Sequence, residues 1–399
     1  MRKKTLRDAD LRGRRVLMRV DFNVPLSKQG DIADDTRVRA SLPSIDYIVE
    51  RGGSVVLVSH LGRPKGAKNK AYTLRPVADC LGGLVNHPVK FADDCVGPGV
   101  EKLVAGLAPG EIALLENLRF YPEEEANDPG FAKQLASYGD LYANDAFGTA
   151  HRAHASTEGV TRHFKENVAG FLMEREIDAL EGLLESPARP FVAVLGGAKV
   201  SGKLELIRNL LARVDRVLVG GGMAFTFFKA AGLEIGKSLV DDALVPECRA
   251  LMEDNERTGR KRILLPVDCL VAPEISAAAA AATVSTGDIP EDMTGVDIGE
   301  RTVELFREEL AAAKTVFWNG PMGVFEIPQF SAGTRKIARI MADITKGGAA
   351  TVVGGGDSVA ALNQAGLAGS VSHVSTGGGA SLELLEGKKL PGVEALTDR

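Results

Sequence analysis

Short apolar runs that end in polar or glycine-rich loops recur along the whole chain, and a helical pattern follows most of them. In the first half they read RVLMRV–DFN, SVVLVS–HLGRP, EIALLE–NLRF and LYANDA–FGTAHRAH. In the second half they read FVAVL–GGAK, RVLV–GGGMAF, RILLPV–DCLVA, KTVFW–NGPMGVFE, ATVV–GGGDS and SHVS–TGGGAS. Near-continuous Val, Ile and Leu runs alternating with helices are typical of buried parallel strands. The pattern predicts an α/β fold with two doubly wound parallel-sheet (Rossmann-like) domains.

The length of the chain and one segment near its middle also favour two domains. A chain of 399 residues exceeds the usual size of one domain. The stretch GFLMEREIDALEGLL, residues 170–184, has the pattern of one amphipathic helix, and Pro187 and Pro190 follow it. We interpret it as a hinge helix between the domains. The alanine run Ala277–Ala282 is too short to cross a bilayer and is also expected to be helical.

Composition excludes several classes of protein. The net charge of −5 disfavours a general nucleic-acid binder, which usually carries a basic surplus. The four cysteines form no CxxC pair, so we expect free thiols in a reducing compartment. No stretch reaches the roughly 18 apolar residues of a membrane span. We therefore expect a cytoplasmic protein with neither a nucleic-acid nor a membrane partner.

The strand ends of the first half carry cationic and hydrogen-bonding side chains. In open parallel sheets the ligand lies outside the carboxyl ends of the strands. Guanidinium groups there suit a small, multiply charged anion. The pair His151 and His154 could instead hold a metal, but no Cys or carboxylate at a matching spacing accompanies it. The residues at these ends are Arg19, Asp21, Asn23, His60, Arg63, Arg119, His151, Arg152 and His154.

The strand ends of the second half carry glycine loops and two lysines. The run FVAVL ends at Gly196-Gly197, and Lys199 and Lys203 precede a helical pattern. A strand, a glycine loop and a helix N-terminus favour a bound anion, most often phosphate. The spacing from Gly197 to Lys203 matches the first part of a P-loop, but Leu204 stands where that motif needs Ser or Thr. The sequence thus predicts a phosphate site that is not a P-loop.

Two further glycine loops suggest a second hypothesis, a dinucleotide-binding site. In the loops that begin at Gly220 and Gly354, Phe225 and Val359 take the place of the third glycine of GxGxxG. This mismatch disfavours a dehydrogenase. Asp357 follows the second loop and is a candidate magnesium ligand, because hard cations prefer carboxylate oxygens. A simple N-cap remains the alternative for Asp357.

Taken together, the motifs resemble those of the phosphoglycerate kinase family. RVDFNVP, SHLGRP, ENLRF, AHRAH, GGAKVSGK, LPVD, FWNGPMGVFE, GGGDS and STGGGAS occur in this order from residue 19 to 381. The resemblance implies a hinge enzyme with an N-terminal phosphoglycerate-binding domain (1–170 plus 389–399), an interdomain helix (171–185) and a C-terminal nucleotide-binding domain (186–388). It implies reversible, Mg²⁺-dependent phosphoryl transfer between 1,3-bisphosphoglycerate and ADP, giving 3-phosphoglycerate and ATP, in a monomer.

The resemblance also implies roles for individual residues. Arg37 and Lys199 are implied to be catalytic, and Asp357 to hold the magnesium. The implied substrate-binding residues are Asp21, Phe22, Asn23, Arg37, His60, Leu61, Gly62, Arg63, Arg119 and Arg152. The implied nucleotide-binding residues are Lys199, Lys203, Asn319, Glu326, Gly355, Gly356, Asp357, Ser358, Gly377 and Gly378.

Two departures from the family pattern and one alternative function accompany this interpretation. Gly202 replaces an Asp that the family often has, and Met293-Thr294 replaces a Trp-Met pair near the nucleotide side. The alternative is a nucleotide-binding protein of the same fold without catalysis. Such a protein is expected to lack a charged transfer residue, whereas Arg37 and Lys199 are both present.

Overall fold

The computed structural model describes residues 3–27, 29–257 and 262–399, which divide into two compact units. Unit 1 extends to Asp178 and includes Lys389–Arg399, and unit 2 is Ala179–Lys388. The division falls inside one helix, Phe171–Glu185. The domain limits expected at residues 170/171 and 185/186 therefore remain predictions.

The described part of unit 1 contains one sheet of six strands, all paired in parallel. Their spatial order is β3-β4-β2-β1-β5-β6. The strands are β1 Arg15–Arg19, β2 Ser54–Val58, β3 Val89–Phe91, β4 Ile112–Leu114, β5 Leu141–Asn144 and β6 Asn167–Ala169. The helices are α1 Thr36–Glu50, α2 Arg75–Leu84, α3 Pro98–Ala105, α4 Pro122–Glu125, α5 Pro129–Ala136 and α6 Phe171–Glu185.

The sheet of unit 1 is buried on both faces because helices cover each side. Along β1, Val16 and Met18 belong to one apolar cluster and Leu17 to the other. The same alternation occurs along β2. Burial on both faces explains why these strands read as continuous apolar runs in the sequence.

Unit 2 contains a second parallel sheet with six strands in the described ranges, in the order β15-β14-β13-β7-β8-β9. These strands are β7 Phe191–Leu195, β8 Arg216–Val219, β9 Ile263–Leu264, β13 Thr315–Asn319, β14 Ala350–Gly354 and β15 His373–Val374. Three further strands, β10 Asp268–Ala272, β11 Ala282–Ser285 and β12 Thr294–Ile298, form an antiparallel sheet. The helices are α7 Leu204–Leu211, α8 Met223–Ala230, α9 Val245–Arg257, α10 Glu300–Ala311, α11 Ala332–Lys346, α12 Gly356–Gln364 and α13 Gly379–Leu385.

The two parallel sheets with flanking helices confirm the predicted fold class. The prediction for the alanine run is wrong, because Ala277–Ala281 form a turn and an irregular segment and Ala282 begins β11. High helix propensity does not decide the structure of six residues, because a nucleus of helix is costly and packing outweighs propensity.

The C-terminal segment packs within unit 1. It contains α14, Pro391–Glu394, and the Gly392 N–H donates to the Ala150 carbonyl at 2.8 Å. Lys3 is buried, and its Nζ donates to the Leu396 carbonyl at 2.9 Å. In the described ranges, no helix has both the length and the apolar character that a membrane span requires.

Candidate active site

Arg19, Asp21 and His60 meet at the carboxyl ends of β1 and β2, which are neighbouring parallel strands. Arg19 is buried, and its Nη2 lies 3.2 Å from His60 Nδ1. Arg37, near the start of α1, donates from Nη1 to Asp21 Oδ2 at 2.5 Å. Asp21 Oδ1 lies 3.9 Å from His60 Nδ1. The strand ends therefore bring together side chains that are distant in sequence.

The loop that follows His60 is fixed by two asparagines. Asn23 Oδ1 accepts a hydrogen bond from the Gly62 N–H at 2.8 Å. Asn117 Nδ2 donates to the Leu61 carbonyl at 2.7 Å and to the Tyr72 carbonyl at 2.9 Å. Gly62 has a φ of +60°, and a Cβ there would lie 2.4 Å from the Tyr72 ring. Glycine is thus needed at this turn both for its dihedral angle and for space.

Arg119 follows β4 in a 3₁₀ turn, Leu118–Phe120, and is almost fully buried. Its Nη1 donates to the Gly62 carbonyl at 2.9 Å, and its Nε lies 3.1 Å from Glu125 Oε1. The remaining Nη2 is buried without a hydrogen-bond partner among the described residues. Burial lowers the pKa of the guanidinium, with Glu125 acting in the opposite direction. A buried, unsatisfied guanidinium nitrogen is costly unless an anion binds it.

Several cations surround His60. Burial lowers the imidazole pKa well below its usual value, and Arg19, Arg119, Arg152 and Arg37 lower it further by like-charge repulsion. The same kind of environment lowers the pKa of His154 to about 4. The excess of positive charge in this pocket favours a multiply charged anion, because guanidinium groups bind carboxylate and phosphate oxygens well.

The remaining residues of the implied glycerate site have less direct placements. Phe22 and Leu61 are buried, so their side chains support the loops rather than face solvent. The Phe22 N–H donates to Ser59 Oγ at 2.9 Å. Arg152 Nε donates to His151 Nε2 at 3.1 Å. Arg63 is exposed and makes no hydrogen bond or ion pair to any residue that the structure describes.

On unit 2, Lys203 lies at the start of α7 and turns back toward the loop after β7. Its Nζ donates to the Gly196 carbonyl at 2.6 Å and to the Asn319 carbonyl at 3.3 Å. Burial lowers the pKa of Lys203 to about 8, with Asp357 acting in the opposite direction. Lys199, four residues earlier, is exposed, and its side chain makes no hydrogen bond or ion pair with the described residues.

Glycine loops from three neighbouring strands touch one another through their backbones. The Gly197 N–H donates to the Pro321 carbonyl at 2.8 Å, and the Gly221 N–H donates to the Met322 carbonyl at 3.1 Å. A Cβ on Gly196 would lie 2.2 Å from the Pro321 carbonyl oxygen, and one on Gly221 would lie 2.6 Å from the Gly197 nitrogen. We call these interlocked loops the glycine floor.

The loop after β14 leads into α12, and the N-terminus of this helix is exposed. Asn319, at the end of β13, donates from Nδ2 to the Gly354 carbonyl at 2.7 Å, and the Gly320 N–H donates to Ser358 Oγ. The first turn of α12 presents Gly356 and Asp357, both exposed. Free N–H groups and the helix dipole at such a terminus favour phosphate.

A cavity of about 260 Å³ opens beside the glycine floor. Glu326 and Asp357 contribute carboxylates to its lining, and Leu239 and Ile275 are exposed apolar side chains at the same cavity. Gly377 and Gly378 precede α13 and are not part of this lining. Thr294, one of the residues that departs from the family pattern, does line it. A largely apolar cavity with a few polar groups is typical of a site for a small organic ligand.

The sequence patterns did not identify some of the residues that shape these sites. Asn117 lies within the ENLRF motif, so its importance could have been suspected there. Glu124 is fully buried although it lies in a run of three glutamates, which in sequence is typical of a solvated surface. Ser156, its hydrogen-bond partner, has no sequence signal of its own.

We expect Gly355→Ala to weaken nucleotide binding and to destabilise unit 2. Gly355 has a φ of +91°, and a Cβ there would lie 2.5 Å from Asn319 Nδ2. Backbone strain of this kind costs on the order of 1–3 kcal/mol. The dissociation constant of ADP and the melting temperature measure the effect. The matched control is Gly369→Ala in the same unit, because a Cβ on Gly369 meets nothing within 4 Å and its φ is not positive. Equal effects of the two changes would contradict the prediction.

The residues around Asp357 are compatible with magnesium. Mg²⁺ usually binds proteins through one or two carboxylates and takes its other ligands from substrate phosphates and water. Asp357 is exposed, lines the cavity and lies at a helix N-terminus suited to phosphate. No group of three or more His, Cys, Asp or Glu side chains suited to a metal occurs in residues 3–27, 29–257 and 262–399. The single carboxylate of Asp357 at this helix N-terminus fits a Mg²⁺ ion that is bound together with a nucleotide.

An anion pocket lined by guanidinium groups on one parallel sheet, and a mostly apolar cavity beside glycine loops on another, fit the class of two-sheet α/β phosphotransferases. The family model for phosphoglycerate kinase matches residues 6–388. The phosphoglycerate kinase of Pelodictyon phaeoclathratiforme is 56% identical over 398 residues, covering 100% of both chains. That of Chloroflexus aurantiacus is also 56% identical, over 400 residues. The chain belongs to the phosphoglycerate kinase family.

Solved structures agree with this assignment. The phosphoglycerate kinase of Coxiella burnetii superposes with a TM-score of 0.89 at 40% identity, covering 98% of each chain. The enzyme of Pyrococcus horikoshii superposes with a TM-score of 0.84 at 35% identity, again covering 98% of each chain. The predicted family and the predicted phosphotransferase activity are thus confirmed.

Proposed function

We propose that this protein catalyses reversible, Mg²⁺-dependent phosphoryl transfer between 1,3-bisphosphoglycerate and ADP, giving 3-phosphoglycerate and ATP. The glycerate binds to unit 1 and the nucleotide to unit 2. The observation that carries this assignment is the buried guanidinium of Arg119, whose Nη2 has no hydrogen-bond partner among the described residues and is available to an anion. The cavity lined by Glu326 and Asp357 supports the nucleotide side.

The reaction needs no general base. In the direction of ATP consumption the nucleophile is a carboxylate, which is ionised at neutral pH because such groups have pKa values near ~4. The enzyme therefore acts by positioning the substrates and by stabilising charge on the transferred group. Arg37 and Lys199 supply positive charge to the phosphoryl group, and the N-terminus of α12 supplies backbone N–H groups.

Residue roles follow the same division. Asp21 and Asn23 hydrogen-bond the glycerate end of the substrate and Arg37 reaches its carboxyl end. His60, Arg63, Arg119 and Arg152 bind the 3-phosphate. On the other unit, Lys203, Asn319 and the backbone of Gly355–Ser358 and of Gly377–Gly378 bind the nucleotide phosphates, and Glu326 binds the ribose. Because each substrate is held by a different unit, transfer requires closure that brings the substrates in line and excludes water.

Asp357 would hold the magnesium. When bound, the ion neutralises negative charge on the nucleotide phosphates. The carboxylate of Asp357 and the backbone N–H groups of the first turn of α12 would together hold the metal–nucleotide complex. We further propose that the protein works as a cytoplasmic monomer with no nucleic-acid or membrane partner.

A coupled assay tests the proposed function. Purified protein is mixed with 3-phosphoglycerate, ATP and Mg²⁺, and formation of 1,3-bisphosphoglycerate is followed through its reduction by a dehydrogenase. We expect turnover that requires all three components and stops when a chelator is added. ADP binding without turnover would instead support a non-catalytic nucleotide-binding protein. A fluorescence change of reduced nicotinamide on mixing with the protein alone would support a dehydrogenase.

We expect nucleotide binding to take up protons near pH 8.5 and not near pH 6.5. The pKa of Lys203 is lowered to about 8, so much of this lysine is neutral at pH 8.5 in the free protein. Phosphate oxygens raise the pKa again, so Lys203 binds a proton as ADP binds. At pH 6.5 it is already protonated in both states. Calorimetry in two buffers of different ionisation enthalpy measures the uptake.

The variant Lys203→Met should abolish this proton uptake, whereas Lys229→Met, which removes an exposed lysine paired with Asp242, should leave it unchanged. The lowered pKa of Lys203 also determines how this residue makes the free energy of unfolding depend on pH. Because folding lowers the pKa of Lys203, the unfolded chain binds more protons between about pH 8 and the usual lysine pKa, so this group makes stability rise with pH in that window. Uptake that persists in Lys203→Met would refute the assignment.

A further inference from the structure

A chain of buried hydrogen bonds lies behind the anion pocket and ends at His60. Ser156 Oγ donates to Glu124 Oε1 at 2.5 Å, and the Ser156 N–H donates to Glu124 Oε2 at 2.9 Å. Arg19 Nε donates to Ser156 Oγ at 2.8 Å, and Arg19 Nη2 lies 3.2 Å from His60 Nδ1. Each of these four residues is at most 3% exposed. This series of hydrogen bonds is thus protected from solvent from Glu124 to His60.

The direction of every hydrogen bond in this chain is determined by chemistry. Both oxygens of Glu124 accept, which suits an ionised carboxylate. The single hydroxyl proton of Ser156 goes to Glu124, so Oγ offers a lone pair to Arg19. A guanidinium group has donors only, so His60 Nδ1 must accept from Arg19 and carries no proton. The proton of the neutral imidazole is then on Nε2.

The neighbouring charges also favour the neutral ring. Arg19, Arg37, Arg119 and Arg152 all disfavour an imidazolium at His60. Asp21 is the nearby acid, but its Oδ1 is 3.9 Å from Nδ1, beyond hydrogen-bond distance. Glu125 pairs with Arg119, and His154 Nδ1 lies 4.0 Å from Glu124 Oε1. None of these groups is therefore an acceptor for a proton on His60 Nδ1.

We propose that Ser156 and Glu124 are positioning residues, which hold Arg19 so that neutral His60 presents an Nε2–H donor to the substrate phosphate. His60 Nε2 has no hydrogen-bond partner among the described residues. The atom is not completely buried, so a ligand can reach it. A neutral donor binds a phosphate oxygen without adding charge to a pocket that already contains several guanidinium groups. The inference rests on the proposed glycerate site.

The first experiment measures the tautomer directly in the protein without substrate. With ¹⁵N-labelled histidine at pH 7, we expect a pyridine-type shift at Nδ1 of His60 and a pyrrole-type shift at Nε2. The spectrum of His60→Gln identifies which signals belong to His60. A proton on Nδ1, or a doubly protonated ring, would overturn the proposal. This readout does not depend on activity, so it stands apart from the proposed function, which fails if the wild-type protein has no turnover.

The second experiment tests whether Ser156 sets the tautomer. In Ser156→Ala, Arg19 loses its Nε acceptor, so we expect a mixture of tautomers at His60. The KM for 3-phosphoglycerate should rise on the order of 5- to 10-fold, as for loss of one well-placed hydrogen bond. The kcat should remain within about twofold, because the effect is on ground-state binding.

Ser41→Ala is the matched control. Ser41 is buried in the same unit, and its Oγ has no hydrogen-bond partner among the described residues, so the change removes a hydroxyl without breaking a chain. We expect wild-type histidine shifts and a wild-type KM. Equal changes in the two variants would reduce the role of Ser156 to packing and overturn the proposal, and so would a Ser156→Ala variant with an unchanged tautomer and KM.

Discussion

Arg37→Ala should lower kcat by a factor on the order of 10²–10³ while changing the KM of either substrate far less, as expected for loss of one transition-state donor. In the structure Arg37 Nη1 pairs with Asp21 Oδ2 at 2.5 Å at the carboxyl edge of the sheet. Only about a third of the Arg37 side chain is exposed. This placement suits a guanidinium that stabilises charge on the phosphoryl group during transfer. Steady-state kinetics in both directions measures the effect.

Arg39→Ala is the matched control for this prediction. Arg39 lies on the same helix two residues later, but it is more exposed and pairs with Asp35 one turn earlier. Such exposed pairs contribute little, so we expect kcat and KM close to those of the unchanged protein. An Arg37→Ala variant that keeps its kcat would remove Arg37 from the transition state.

Arg119→Ala should raise the KM for 3-phosphoglycerate by on the order of 10²-fold, because charged hydrogen bonds contribute about 1.5–3 kcal/mol each and this residue offers more than one donor. Its Nη2 is buried and without a partner among the described residues, and the Gly62 carbonyl and Glu125 hold the rest of the group in place. The binding energy is therefore realised with little ordering of the side chain. Glycerate titrations by kinetics and by calorimetry check this value.

Arg63→Ala provides the comparison. Arg63 is exposed and its side chain makes no hydrogen bond or ion pair with the described residues, so it must be ordered when the substrate binds. We expect a smaller rise in KM, about 10-fold, since part of the hydrogen-bond energy offsets the lost side-chain entropy. A larger effect at Arg63 than at Arg119 would contradict our account of the pocket. Circular dichroism and melting temperatures of both variants exclude unfolding as the cause.

Much of the fold could be predicted because its central strands are buried on both faces. In the runs that became β1, β2, β7, β13 and β14, at least three of the five residues are apolar, so their strand character is visible without any partner. The short strands β3 and β6 were not predicted, since three residues that include a Lys or an Asn are too few to show a strand pattern. The antiparallel strands β10–β12 were also missed. β11 is largely exposed and its identity depends on pairing with β10 rather than on its own pattern.

The candidate sites could be predicted in part for a related reason. Parallel strands place their carboxyl ends at one edge, so Asp21 and His60 could be grouped before any coordinates were known. The roles of Glu124 and Ser156 could not, because the burial of an acid in a glutamate run is decided by the fold around it. The pairing of Arg119 with Gly62 likewise depends on two loops that are 57 residues apart. The individual substrate roles remain predictions until the variants above are measured.

The glycine floor has a consequence for how this enzyme can vary. Its shape is set by main-chain atoms that already touch, so no side chain fits at Gly196 or Gly221 whatever its chemistry. A library that randomises these positions should return glycine alone, while Leu239 and Ile275 at the cavity can be exchanged freely by comparison. Within the proposed nucleotide site, variation is therefore expected at those two apolar side chains and not in the backbone of the glycine floor.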